Sequence, residues 1–387
     1  MAAIDHIAFL ADEIGPRGST SEAEAEAAKF AAKVLARCDL EPEVNGFKSA
    51  RSNWHPYALF SAIMLLALAL FLIGGRIASM LALTFGAISL ASALLELSFR
   101  PNPLRWLLPK GESRNVSARI RARENARRKV VLIGHLDTHR TPIALSSDTW
   151  LKIFRLLIPL GLFASVILLV LFAISIFIGN DFGRLLAFVP GLILAGVFAI
   201  TVQADFTPFT HGANDNASGA GIVLGIAERL AAEPLRETDV WVVLTGCEEV
   251  GCYGADAFAR ARKGEIAGAI WLTVDTVGGR GTSLAYLTRE TFLLTTHSDA
   301  SLLDFADAVA TDNRELGAHR HKFAGAFTEG AIGGKHGMRV LTFIAVRPDG
   351  SIPNWHRPSD LLERIDESAI ARCDVFLREL LLRIDNA

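Results

Sequence analysis

The sequence predicts an α/β sandwich with a mainly parallel sheet, interrupted by two apolar helical hairpins. Three observations carry that reading. Continuous apolar runs of strand length alternate with helical patterns. Clusters of His, Asp and Glu follow the ends of those strands, where ligands gather in open α/β sheets. Four further apolar runs, at residues 57–73, 77–97, 156–179 and 185–204, each approach the ~20 residues that span a bilayer.

The runs account for the composition. Over 387 residues the chain is 51% hydrophobic with a formal charge of −2. It is too apolar for an ordinary soluble protein and too neutral for nucleic-acid binding. The only charge inside the runs is Glu96, at the end of the second. Turns at Gly74-Gly75-Arg76 and Asn180-Asp181-Phe182-Gly183-Arg184 make two hairpins, 57–97 and 153–204. Residues 1–56, 98–152 and 205–387 form the polar domain. An even number of transmembrane helices returns the chain to one side, so the polar parts share a compartment. Lys48, Arg51, Arg100, Arg105, Lys110, Arg140, Lys152 and Arg155 flank the runs there, against Arg76 and Arg184 at the tips. The positive-inside rule places that side in the cytoplasm, and a bacterial inner membrane is the expected location. Residues 1–51 hold no apolar leader. Cys38, Cys247, Cys252 and Cys373 show neither a disulfide framework nor zinc-knuckle spacing, as suits a reducing compartment.

In chain order, residues 2–14 and 21–38 read as helices, the second with a Ser/Thr cap and glutamates in its first turn. Residues 41–48 suit a strand leading into the first hairpin. Residues 100–110, rich in Pro and basic residues with Trp106, suit a membrane interface. Residues 115–120 read as a strand, and the basic run 119–129 as a turn near anionic lipid. The buried strand 129–134 ends in His135-Leu136-Asp137-Thr138. After the second hairpin comes the small-residue loop Gly212-Ala213-Asn214-Asp215-Asn216-Ala217-Ser218-Gly219 and a helix over 220–230. Its glycines give freedom to turn, and Asn216 and Ser218 suit the helix cap. Strand 239–245 ends in Gly246-Cys247-Glu248-Glu249, and strand 269–274 in Asp275. Strand 339–346 leads to a loop carrying Trp355-His356-Arg357-Pro358-Ser359-Asp360, and a helix over 361–384 closes the chain.

Taken together, His135, Asp215, Glu249, Asp275 and His356 offer two imidazoles and three carboxylates. Mixed N/O ligation without thiolates suits catalytic zinc, with cobalt or manganese as alternatives. Two cations can share the oxygens of Asp215, an arrangement that holds them about 3.5–4 Å apart. Of the adjacent glutamates, one can bind metal while Glu248 moves a proton between water and leaving amine. Asp137, two residues from His135 on an extended segment, can accept the imidazole's other N–H. His211 is expected beside the site, whereas His139, His319, His321 and His336 read as surface or packing residues. Cys247 and Cys252 border the site as packing thiols.

The set resembles metallopeptidase family twenty-eight, the co-catalytic di-zinc aminopeptidases and their relatives in clan MH. The resemblance rests on 134–138, 212–219, 245–251, Asp275 and 355–360. It implies a three-layer α/β/α sandwich with a central mixed, mostly parallel sheet. It also implies two Zn2+ ions: His135 and Asp275 on one, Glu249 and His356 on the other, Asp215 bridging. Glu248 would be the general base and Asp137 the partner behind His135; no organic cofactor is implied. The hairpins depart from the family pattern, and Thr328-Glu329-Gly330 stands where a specificity segment is expected.

The expected protein is therefore a membrane-embedded di-zinc hydrolase cleaving a peptide bond, an aminopeptidase by preference. Its partners would be a peptide or hydrophobic amide substrate and the lipid bilayer, with no nucleic acid; a homo-oligomer is compatible. Since the second hairpin falls between two ligand stretches, an apolar substrate arriving from lipid is one expectation and plain anchoring another. The alternatives are an amidohydrolase of lipid-like N-acyl substrates, a single-zinc cyclising enzyme, and a catalytically silent binding or transport protein. Against the last, no charge lies deep within the apolar runs.

Overall fold

The computed structural model describes residues 3–179 and 181–387, so Asn180 of the expected second turn lies outside the described residues. The chain divides into two compact units, one of Met1–Arg51, Lys110–Arg140 and Phe209–Ala387, the other of Ser52–Pro109 and Thr141–Pro208.

The first unit is an α/β fold around a nine-stranded mixed sheet. Its strands are β1 (Glu43–Ala50), β2 (Lys110–Ile120), β3 (Arg128–His135), β4 (Thr238–Thr245), β5 (Ile270–Val274), β6 (Ser283–Thr291), β7 (Thr295–His297), β8 (His319–Ala324) and β9 (Arg339–Val346). They run in the order β1-β2-β4-β3-β5-β9-β6-β7, with β8 also on β6. The middle four, β4, β3, β5 and β9, are parallel. Val130, Val131, Leu132 and Ile133 are all buried, as a strand covered on both faces requires. Outside this core the pairing is antiparallel for β1/β2, β2/β4, β6/β9 and β6/β7, and parallel again for β6/β8. Parallel and antiparallel pairings are thus equal in number, and the expectation of a mostly parallel sheet holds only for the centre. The flanking strands β6 to β8 and the helix Ala300–Asp312 carry no long apolar run, which is why the sequence reading passes over them.

Parallel register brings the carboxyl ends of the middle strands level, His135 facing Thr245 across β3 and β4. Helix Glu22–Ala36 starts as expected, with Ser21 accepting the Glu24 N–H. The first helix is shorter than its pattern: Ala3–Ala8 is α-helical, and Phe9–Ile14 widens into a π turn. Arg17 explains the change, since its Nη1 takes the carbonyls of Leu10 and Gly15 and competes with the helical ladder. The closing helix begins later than expected, at Glu367, where Asp366 accepts the N–H groups of Ser368 and Ala369.

Among the described residues, the second unit contains four helices long and apolar enough to cross a membrane: Trp54–Ile73, Arg76–Leu97, Asp148–Ile178 and Gly183–Asp205. The first two join through Gly74 and Gly75 at φ 93° and 88°, which only glycine adopts freely. Asp148–Ile178 starts earlier than its apolar run because Ser147 caps it, accepting the Trp150 N–H. Within this unit Phe71, Met64, Ala82, Leu168 and Phe172 form the shared core. Gly191 lets its helix approach closely: it lies against Leu68, where a Cβ would come within 2.6 Å. Ile73, Ile77, Phe177 and Ile178 point outward and are exposed. Glu96 is buried, bonded by Arg105 and by Asn102 Nδ2 at 3.0 Å, so the one charge in the apolar runs is compensated.

Candidate metal centre

The loop before helix Gly219–Ala232 has a shape that its neighbours impose. Gly212 sits at φ +59°, and a Cβ there would lie 2.3 Å from Thr138 Cγ2 and 2.4 Å from Asp215 O. Gly219 is needed for a different reason than turning. Its φ is −67°, in the helical region, and a Cβ would meet Val274 O at 2.2 Å. Asn216 does cap the helix, its Oδ1 accepting the Gly219 N–H, and that oxygen also accepts the Thr276 N–H. Ser218 instead latches the loop to the next strand end, its Oγ accepting the Val277 N–H. Asp360 receives the backbone N–H groups of Asn214 and Asp215 at 2.7 and 3.0 Å. These bonds aim the Asp215 carboxylate.

Asp215 lies between two imidazoles. Its Oδ1 is 3.4 Å from His135 Nε2, and its Oδ2 is 3.0 Å from His356 Nε2. His135 Nε2 also stands 3.7 Å from Asp275 Oδ1 and 3.9 Å from Glu248 Oε2. His356 Nε2 stands 3.2 Å from Glu249 Oε2. The five residues expected as ligands and Glu248 thus meet at one place, all buried. Among the described residues, three overlapping groups there have ligand-capable atoms within 4.8 Å of one another: His135–Asp215–Asp275, His135–Glu248–Glu249 and His139–Glu249–His356.

Asp137 is more than a partner for His135. The nearer acceptor for His135 Nδ1 is the Asp137 backbone carbonyl at 3.1 Å, with the carboxylate at 3.5 Å. That carboxylate instead accepts the N–H groups of Glu248 and Glu249 at 3.0 and 3.1 Å and the Ser19 hydroxyl at 2.6 Å. It therefore sets the turn that separates the two glutamate side chains. Glu248 Oε1 accepts the Cys252 thiol at 3.1 Å, and burial pushes both Cys252 and Cys247 well above the usual thiol range. Three turns at the site hold non-glycine residues in the left-handed region: Cys247 at φ 56°, Thr276 at 51° and His356 at 55°. Such conformations cost about 1–3 kcal/mol each and persist where surrounding bonds enforce them.

The charge balance calls for cations. Burial and the neighbouring carboxylates push Glu248 well above its ordinary range, and Glu249 rises to about 8 through burial and the Asp215 charge. Against burial, the neighbouring carboxylates of Asp137, Asp215 and Asp275 carry His135 well above the usual imidazole value. His356, despite burial, is raised to about 10 by Glu249 and Asp215. Protein side chains alone leave this cluster short of positive charge. His135 Nε2, Asp215 Oδ2, Glu249 Oε1 and Asp275 Oδ1 are buried without a hydrogen-bond partner among the described residues. Buried lone pairs aimed at one another are costly unless a cation lies between them. The donor set therefore fits divalent metal of the zinc type.

Some residues were not legible in advance. His139, read as a packing residue, stacks on His356 with ring centroids 3.7 Å apart and joins the third group. Glu24 caps its helix by accepting the Thr20 N–H, and its other oxygen accepts the Cys247 N–H. Arg17, fully buried, donates to the carbonyls of Leu136, His211 and Gly212, so it ties the His135 and Asp215 stretches together. Asp360, within the 355–360 motif, holds the Asp215 loop through bonds that the sequence alone does not show. His211 packs, its Nδ1 3.0 Å from Ala11 O. His336 pairs with Asp256, and His319 and His321 lie on β8, apart from the cluster.

Comparison with known proteins agrees with this fold. Residues 200–381 match the family described as Peptidase family M28. Among solved structures, glutaminyl cyclase from Tannerella forsythia is similar at 15% identity and a TM-score of 0.57, covering 98% of this chain and 97% of that one. BSAP, a zinc aminopeptidase from Bacillus subtilis, is similar at 12% identity and a TM-score of 0.58, covering 98% and 93%. An aminopeptidase from Aneurinibacillus sp. strain AM-1 follows at 13% identity and 0.56, covering 98% and 92%. No curated protein matches the sequence. At these identities the structural likeness establishes the fold. The family match over residues 200–381, just under half of the chain, agrees with that fold.

Proposed function

We propose that the protein is a di-metal hydrolase of amide bonds, an aminopeptidase, held in a membrane by its apolar helices. The observation that carries the two-metal reading is the division of Asp215, one oxygen toward His135 and the other toward His356. His135 and Asp275 would hold one Zn2+, Glu249 and His356 the other, and Asp215 would bridge. When bound, the ions would supply Lewis acidity toward the scissile carbonyl and toward water. Glu248 accepts the proton of the attacking water and returns it to the departing amine. Its burial supports that role, because a carboxylate kept from bulk solvent has a raised affinity for the proton it takes from water. Asp137 holds the Glu248 backbone, so the two glutamates keep separate tasks.

The membrane reading rests on the four long apolar helices and on the excess of Lys and Arg flanking them, which favours a cytoplasmic polar unit. Insertion of the second hairpin between the His135 and Asp215 stretches supports an apolar peptide or N-acyl amide as substrate. Replacing both hairpins by short polar loops tests this: turnover of a membrane-embedded substrate should fall while that of a water-soluble peptide persists. Equal retention of both would leave the hairpins as anchors only.

The fold is shared with glutaminyl cyclases as well as aminopeptidases, so the product identifies the reaction. Purified protein given peptides should release the N-terminal amino acid, and Glu248→Gln should keep about two metals while losing on the order of 10²–10⁴ in turnover. Conversion of N-terminal glutamine to a cyclic product, with one metal bound, would overturn the aminopeptidase reading.

A further inference from the structure

Glu248 is held from behind by a thiol. Cys252 is fully buried, and its Sγ donates to Glu248 Oε1 at 3.1 Å. The other oxygen, Oε2, faces the centre, 3.9 Å from His135 Nε2. Both residues belong to one closed turn. Cys252 N–H donates to Glu248 O at 2.7 Å, and Tyr253 N–H to Cys247 O at 2.9 Å. Asn115 ties the two ends of that turn together, its Oδ1 accepting the Gly246 N–H and its Nδ2 donating to Gly254 O. Gly254 lies so near Gly246 O that a Cβ would come within 2.2 Å of it. Cys252 itself stands at φ 52°, a left-handed conformation that the surrounding bonds must enforce. The backbone therefore sets where the sulfur lies, and the glutamate leans on it. Burial and the Glu248 charge push the thiol well above its usual range, so the sulfur keeps its proton and remains a donor.

We infer that Cys252 is a positioning residue for Glu248: its thiol occupies Oε1, so the proton drawn from the attacking water is carried on Oε2, the oxygen that faces the centre. The inference rests on the base role proposed for Glu248 and adds which of its oxygens performs it. In the first transfer a water O–H bond breaks, its electron pair stays on the attacking oxygen, and an O–H bond forms at Oε2. In the second the Oε2–H bond breaks and an N–H bond forms on the departing amine, which restores the carboxylate. A proton resting on Oε1 would be aimed away from both partners. The bond already accepted at Oε1 lowers that oxygen's hold on a proton.

The test uses the full chain purified in detergent and compares wild type, Cys252→Ala and Cys252→Ser, each also in the Glu248→Gln background. Alanine removes the donor; serine puts an O–H donor on the same carbon. Turnover and KM are measured on leucine p-nitroanilide, and bound zinc by metal analysis. Cys252→Ala should lose about tenfold in kcat, the scale of one hydrogen bond to a charged group, with KM and the bound zinc unchanged. Cys252→Ser should recover most of that loss. In the Glu248→Gln background Cys252→Ala should cost nothing further, since the group it serves is gone. Wild-type kcat in Cys252→Ala would overturn the assignment. So would an equal loss in both backgrounds, a serine variant no better than alanine, or loss of bound zinc; these mark a packing role and leave the base role of Glu248 intact. A wild type inert toward the anilide, or Glu248→Gln with full turnover, would overturn the reading of Glu248 and this assignment with it.

Discussion

The imidazoles on either side of Asp215 come from unlike parts of the fold. His135 ends β3, a central strand paired on both sides, and is 1% exposed. Its Nδ1 is fixed by a carbonyl. His356 sits in the loop after β9 at φ 55°, is 9% exposed, and its Nδ1 lacks a hydrogen-bond partner among the described residues. One half of the centre is built by sheet register. The other is assembled by a loop and by ring stacking on His139. The half on the sheet should be the tighter and more rigid, and the loop half the one that loads last and unloads first.

The largest effect is expected where both halves fail together. Asp215→Asn removes the shared charge, and metal analysis should show both affinities weakened by more than about 100-fold. Gly212→Ala should come next. The added methyl meets Thr138 and the Asp215 carbonyl in a left-handed backbone, and the displaced loop should weaken both ions about 10–100-fold. Asp360→Asn keeps one acceptor for the two backbone N–H groups it now holds. It should weaken both ions about tenfold, less than the glycine change. A graded chelator titration followed by metal analysis sharpens the contrast: one ion should leave first, and in His356→Ala that ion should be the one already missing. Simultaneous release of both would erase the distinction between the halves.

The smallest effect lies away from the ligands. Glu290 is buried on β6, and burial raises its carboxyl to about 8 although Thr328 donates to it. A raised value means that the folded chain holds this proton more tightly than the unfolded chain. The contribution is present below about 4.5 and is lost as pH rises through about 8. In wild type this group makes stability fall across that window, by at most about 1.4 kcal/mol per pH unit. Glu290→Gln should therefore show a shallower decline in denaturation midpoints between pH 5 and pH 8 at saturating metal. An unchanged slope would contradict the assignment.

Much of this was readable in the sequence, for a physical reason. The central strands are buried on both faces, so they appear as apolar runs, and their polar endings then mark the sheet's carboxyl edge. The match of β9, Arg339–Val346, to its expected span shows how strong that signal is. Strands β6 to β8 have partly exposed, mixed-polarity patterns and leave no comparable trace. At the centre, ligand types after strand ends could be listed, but not the bonds that aim them. Nothing local marks Arg17, since its acceptors are carbonyls up to 195 residues away. His139 reads as a surface or packing residue because nothing in its local sequence marks it; only the return of the 355–360 loop onto it brings a third imidazole to the centre. Glu24 was visible as a helix-start residue, and that correct local reading hid its bond to Cys247.

The most direct measurement of the central claim is metal-edge anomalous diffraction from crystals of the metal-replete full chain. Two peaks are expected, one against each oxygen of Asp215, with His135 on one side and His356 on the other. A single peak, or an Asp215 carboxylate turned away from both, would contradict the account.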